Sequence, residues 1–156
     1  MSTTPQGELH PNDFLAPEPY IVDRLKEALA ALRPQVHVLT AAQLATVREE
    51  VQPVPAVHVV WNGFQVLESR GDGAASRLDH TWLIVTAVRN VSQLKSNAAA
   101  RLDAGPLMAR AGAALMGFRP PNVNGPMRLA PAPGAGGANG FFYMPLAFKV
   151  ETVFQR

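Results

Sequence analysis

Four histidines, His10, His37, His58 and His80, are the first residues to question for chemistry. No two are spaced as metal ligands on neighbouring helical turns, since there is no H-x-x-x-H or similar pattern. His37, His58 and His80 each fall in an apolar run that reads as a strand, where a hydrogen-bonded structural imidazole is the expectation. "GAGGANG" at 134–140 has the glycine content of a phosphate cradle. It lacks the Lys-Ser/Thr of a P-loop and runs into a strand, whereas a cradle leads into a helix N-terminus. It reads as a flexible loop. Arg70-Gly71-Asp72 spells an adhesion tripeptide and reads as a turn. Asp72 and Asp79 flank the same loop as solvated carboxylates, and acid–base work would need burial to separate their pKa values. No serine sits in a G-x-S-x-G elbow, and the absence of cysteine removes thiol nucleophiles, disulfides and thiolate metal sites. The residues therefore point away from an enzyme, and no metal or nucleotide cofactor is expected.

The totals agree with that direction. A chain of 156 residues is about one domain long and can bury a single core. Its 14 basic and 12 acidic residues leave a net charge of +2, too weak an excess for a dedicated nucleic-acid binder. At 47% hydrophobic and 17% charged, it is lean in charge for a surface wholly exposed to water. "MSTTPQGELHPNDF" has neither the basic flank nor the apolar run of a signal peptide. No stretch approaches the roughly 18–20 apolar residues of a membrane span. A soluble, non-secreted protein with no membrane partner is expected.

Residues 1–18 are polar and proline-containing and read as a flexible N-terminal arm ahead of a single domain over 19–156. From Pro19, Val22, Leu25, Leu29 and Leu32 recur at helical spacing until Arg33-Pro34. "QVHVL" (35–39) is a short strand, and "TAAQLATVREE" (40–50) a second helix that Thr40 can cap. A strand over 55–67 and its return over 78–91 make a long central hairpin around a polar loop, 68–77. Residues 97–118 form the main helix, capped by Asn97, ended by Gly117, and interrupted or kinked at Gly105-Pro106. Its alanines and glycines leave little bulk, so it can approach a sheet closely. "MRLAPAP" holds a short strand, and 141–155 a long last one whose Pro145 implies an edge or a bulge. The order α-β-α-β-β-α-β-β predicts an α+β fold, an antiparallel or mixed sheet with its helices mainly on one face.

"PAVHVVWNGFQV" (55–66) carries apolar side chains on both faces, although strand side chains alternate. Strict alternation puts Val57, Val59 and Trp61 on one face, and Val60 and Phe64 on the other. The return strand repeats the pattern with Trp82, Ile84 and Val88 against Leu83 and Val85. Helices can cover one side, and nothing else in the chain covers the second. An exposed apolar sheet face marks association. Val57, Val59, Trp61, Phe64, Trp82 and Ile84 are thus the candidate assembly residues, with Arg70, Asp72 and Arg77 at the hairpin tip. Parity alone leaves open which face meets the helices.

The succession of "PAVHVVWNGF", "HTWLIVTAVRN", "AGPLMARAGAALMGF-RP" and "GFFYMPLAFKVE" after a leading amphipathic helix resembles the tail terminator (tail completion) proteins of long-tailed bacteriophages, notably the Mu-like phage and prophage family. The likeness covers about 19–155 and includes Asn62-Gly63, Arg89-Asn90, Ala104-Gly105, Gly117 with Pro120, and Gly140. It implies a structural virion protein that caps the tail tube as a hexameric ring and offers the head connector a docking surface. The implied partners are further copies of the chain, the tail tube protein and the head–tail connector. The implied location is the head-proximal end of the tail, reached from the host cytoplasm during assembly. No specific nucleic acid is implied, although a genome would pass through the ring.

Two other readings compete. Another adaptor of the head–tail junction would differ in its partner, and a small enzyme or ligand-binding domain would use the sheet face as a pocket. Only His58, Asn62 and His80 are candidates to line such a pocket.

Overall fold

The computed structural model describes residues 10–89 and 98–156. The Asn97 cap, the strand end at Asn90–Val91 and residues 1–9 of the arm lie outside the described residues. The elements are α1 (Glu18–Leu29), β1 (His37–Thr40), α2 (Ala41–Leu44), a 3-10 turn (Glu49–Val51), β2 (Ala56–Ser69), β3 (Ala75–Arg89), α3 (Ala98–Leu115), β4 (Arg128–Ala130), β5 (Gly136–Ala138) and β6 (Phe141–Gln155). They form the expected α+β architecture around one mixed sheet of order β1-β2-β3-β6-β4, with β5 also paired to β6. β1 and β2 are parallel, and every other pair is antiparallel.

Each helix forms for a local reason. Ile21, Leu25 and Leu29 recur every four residues along α1 and are buried, while the polar positions between them stay in solvent. Thr40 and Gln43 make a reciprocal capping box at α2. That helix nevertheless ends at Leu44 rather than continuing to residue 50, because none of its residues is buried and a four-residue helix has no packing to extend it. α3 runs through Pro106 without a break. Gly117, at φ +75°, ends it as expected. Its small residues do let it lie close to the sheet: Ala104 and Ala111 are buried, and a Cβ on Gly112 would stand 2.9 Å from Leu146 Cδ1.

The core fills the space between the sheet and α1 and α3. Val57 and Val59 from β2, Trp82 and Ile84 from β3, and Phe148 and Val150 from β6 pack there with the buried faces of the two helices. This settles what parity left open. The face of Val57 and Trp82 meets the chain's own helices.

Alternation fails at two places in β2, and the first has a conformational reason. Trp61 pairs with Trp82 and Phe64 with His80, so three residues of β2 advance against two of β3. The extra residue is a bulge at Asn62-Gly63, where Gly63 adopts φ +83°. Phe64 therefore does not take the face opposite Trp61; it lies on the same one, with the two ring centroids 6.4 Å apart. A second shift follows between Val66 and Glu68. The space where a Cβ of Gly63 would stand is open, so Gly63→Ala should cost only the backbone penalty of a left-handed residue, about 1–2 kcal/mol. Urea unfolding checks this, and an unchanged midpoint would show that the bulge tolerates an L side chain.

The glycine run holds another departure. Gly136–Ala138 forms β5, folded back on β6 through Asn139-Gly140, whose φ values of 54° and 83° suit a tight two-residue hairpin turn. β5 pairs with Phe141–Tyr143 and β4 with Ala147–Lys149. Pro145 falls between them, where no described strand needs an N–H from that edge, which accords with the expected edge position.

Candidate assembly surfaces

The sheet is uneven in length, and that creates its exposed end. β1 flanks β2 only over Ala56–Val59, and β4 reaches only Lys149 of β6. β2, β3 and β6 continue well beyond, to Ser69 opposite Ser76 and Ala75 opposite Gln155. The hairpin is thus a three-stranded projection with β6 as its third strand. The polar loop is only Arg70–Ala74, shorter than 68–77, because the flanking residues pair as strand. Asp72 holds the turn: its carboxylate pairs with Arg70 at 2.9 Å and accepts the Ala74 N–H at 3.0 Å. The Ser69 and Ser76 hydroxyls bond across its base at 2.8 Å.

On the helix side of this projection the rings of Trp61, Phe64, His80 and Phe154 gather around Phe14, with the Phe14 centroid 5.4–6.0 Å from each. Trp61 Nε1 donates to His80 Nδ1 at 3.1 Å, which leaves the proton of a neutral imidazole on Nε2, 2.8 Å from Thr152 Oγ1. Beyond the helices the cluster opens into water. Phe64 is 43%, Phe154 44% and Val66 57% exposed. This apolar strip is what sequence reasoning missed as a unit. Asn62-Gly63 inside an apolar run was the signal, because a positive-φ glycine there shifts parity and brings Phe64 and Val66 onto the aromatic face.

The opposite, helix-free face is not the bare apolar surface that was expected. Toward the tip it carries charge: Asp79 is buried and meets Arg128 at 2.6 Å and Lys149 at 4.0 Å. Arg77 lies 3.6 Å from Glu68 and 3.7 Å from Glu151. The exposed pairs contribute little to stability, whereas the buried Asp79 carboxylate depends on Arg128. At the other end the segment around the 3-10 turn folds over the sheet. Gln52 donates to Tyr143 Oη at 2.7 Å, and Tyr143 donates to Glu49 at 3.0 Å. Arg89 donates to the Glu50 carbonyl at 2.9 Å and stacks over Phe141. Between these two regions Val60, Leu83 and Val85 remain half-buried.

The nine candidate residues therefore separate. Val57, Val59, Trp82 and Ile84 are buried by α1 and α3 and are not surface, which corrects their assignment to an assembly face. Trp61 is half-buried at the edge of the core, and Phe64 lies on the exposed strip. Arg70, Asp72 and Arg77 are at or beside the tip, with Arg77 facing the helix-free side.

Residues proposed for a pocket do not converge. His58 faces the helix-free side, His80 the helix side, and Asn62 the bulge. Among the described residues no group of three or more His, Asp or Glu is placed to hold a metal ion. A cleft of about 500 Å³ at the other end of the sheet is lined by Leu32, Val36, Val54 and Leu107 together with Arg33, Arg89 and Arg110. It brings no carboxylate or histidine among the described residues.

Burial lowers the pKa of both His58 and His80, and Asp79 opposes the shift at His80. A histidine whose folded pKa lies below its unfolded value near 6.5 favours the fold above that value. That contribution is lost as pH falls from about 6.5 toward the lower folded values. Melting temperature should therefore drop between pH 7.5 and 5.5. A flat profile, or one that rises on acidification, would contradict the burial of these imidazoles.

A family model described as "Phage tail terminator protein" matches residues 11–156, nearly the whole chain. No curated protein matches the chain.

Proposed function

The chain belongs to the phage tail terminator family and has a structural role in the phage tail; from that premise we propose that it caps the tail tube as a hexameric ring, stops the addition of tube subunits and presents a docking surface to the head connector. The observation that carries this reading is the projecting end of the sheet. It has an apolar strip of Phe64, Val66 and Phe154 on one face and a charge network around Asp79 on the other. Ring closure needs two unlike patches on each copy that meet heterologously. The apolar strip supplies one, and the half-buried Val60, Leu83 and Val85 on the other face supply an apolar patch for it to meet. The polar tip at Arg70–Ala74 then stands free to meet the tube or line the channel.

Light scattering on the purified protein, alone and with tube protein, tests the reading. The expected result is a closed species of six copies on tube ends and tubes whose length no longer grows. Monomers at every concentration, beside tubes that elongate unchanged, would overturn it. Binding to the connector but not to the tube would move the protein to the neighbouring role of a head–tail adaptor.

A further inference from the structure

The two sides of the sheet end differently. On the β6 side, β4 and β5 cover part of the edge. Further along it, the Asn124 N–H donates to the Glu151 carbonyl at 2.7 Å, and the Asn12 side chain bonds both backbone groups of Gln155. β1, on the opposite side, pairs with β2 alone. The His37 N–H donates to the Pro55 carbonyl on that inner side. The N–H and C=O of Val38 therefore point outward, where no described strand meets them. Beside this open edge runs a groove of about 820 Å³, formed by Lys26, Leu29 and Arg33 on one side and residues 35–39 on the other. Arg33 and Val36 also line the cleft of about 500 Å³ described above, so the two hollows adjoin. Among the described residues no carboxylate lines either of them. The Arg33 guanidinium donates to the Ala30 and Leu32 carbonyls at 3.0 and 2.8 Å, neutral groups that fix the side chain without cancelling its charge. At the projecting end, by contrast, Arg70, Arg77 and Arg128 each meet a carboxylate.

We propose that this groove receives an extended acidic segment of another protein, which adds to β1 as a strand and sets its carboxylates against Lys26 and Arg33. Strand addition satisfies the outward N–H and C=O of Val38, and the groove beside the edge seats the side chains of the added strand. Leu29 and Val36 are the apolar part of that seat, so the segment alternates apolar and acidic residues. Charge selects the occupant. Residues 90–97 of this chain, NVSQLKSN, hold a lysine and no carboxylate, which is the wrong sign. A second copy offers no match either. Its short edge strands, Arg128–Ala130 and Gly136–Ala138, carry no acid, and the free length of β2 is broken by two register shifts. Nucleic acid fits poorly, because neither hollow is lined by a Phe, Tyr or Trp on which a base could stack. The inference adds a protein partner to the tail role and does not require the ring.

A short fluorescent peptide that alternates leucine and glutamate is the probe, read by anisotropy against the full chain. It should bind, and rising salt should weaken it. A counterpart with glutamine in place of glutamate should bind about tenfold more weakly. Lys26→Glu, at an exposed position on α1, should keep the wild-type melting temperature and weaken the peptide about fivefold to tenfold. Arg70→Ala, at the far end of the sheet, should leave its affinity unchanged. Methylating alternate backbone nitrogens of the peptide should abolish binding, since an added strand needs those N–H groups. No binding, or binding indifferent to either Lys26→Glu or backbone methylation, overturns the proposal. An oligothymidylate that displaces the peptide would give the groove to nucleic acid. A peptide affinity that falls as protein concentration rises would give it to a second copy. Either result overturns the proposal as well.

Discussion

Trp82→Ala is expected to cost about 3–5 kcal/mol of folding stability, the range for removing a large aromatic side chain from a core. Trp82 is fully buried in the middle strand of the sheet, paired with Trp61 on one side and Phe148 on the other, beneath the two helices. A domain of this size has only about 5–15 kcal/mol in total, so much of the folded state's advantage would go with the one side chain. Arg70→Ala at the exposed tip should stay within about 0.5 kcal/mol, since its pair with Asp72 is open to water. Equilibrium urea unfolding of both variants makes the comparison. A Trp82→Ala loss below about 1 kcal/mol would mean that the helices do not seal this face.

The same contrast shows what could be read from the chain. Period and punctuation placed α1, the hairpin, α3 and the last strand, because each is long and its buried side chains recur at a fixed interval. α2 was read too long, since Thr40 and Gln43 state where a helix starts while nothing local states how far tertiary contacts support it. β5 was hidden because a Gly-rich strand has no side-chain pattern; only Asn139-Gly140 announced it, through the turn it favours. Which face of the hairpin met the helices was not legible, because both faces are apolar and the decision rests with Ile21, Leu25 and Leu107 on distant elements. The candidate site suffered most from counting by twos. One left-handed glycine at position 63 moved Phe64 to the other face, and with it the whole apolar strip. Phe14, inside the segment 1–18 that reads as a flexible arm, completed the cluster from a stretch with no period to read.

Phe64→Glu is expected to leave a folded protein that no longer caps tubes. The ring is 43% exposed and lies past the helices, so a carboxylate there can turn into water and avoid the cost of an unpaired buried charge. What it loses is part of the packing with Phe14, Trp61 and His80, about 1 kcal/mol for an aromatic pair of this kind. In a ring the same position is sealed against a neighbour. One desolvated charge per interface, repeated around a closed ring, should abolish assembly. Val66→Glu serves as the companion, because Val66 is 57% exposed on the same strip and is not among the rings that hold Phe14. If the strip is the assembly face, both variants melt near the wild-type temperature, sediment as monomers and leave tubes to grow overlong. If Phe64→Glu fails and Val66→Glu caps normally, the Phe14 socket matters and the strip does not. If both cap normally, the apolar end of the projection is not an interface, and the copies must meet through the charged face around Asp79.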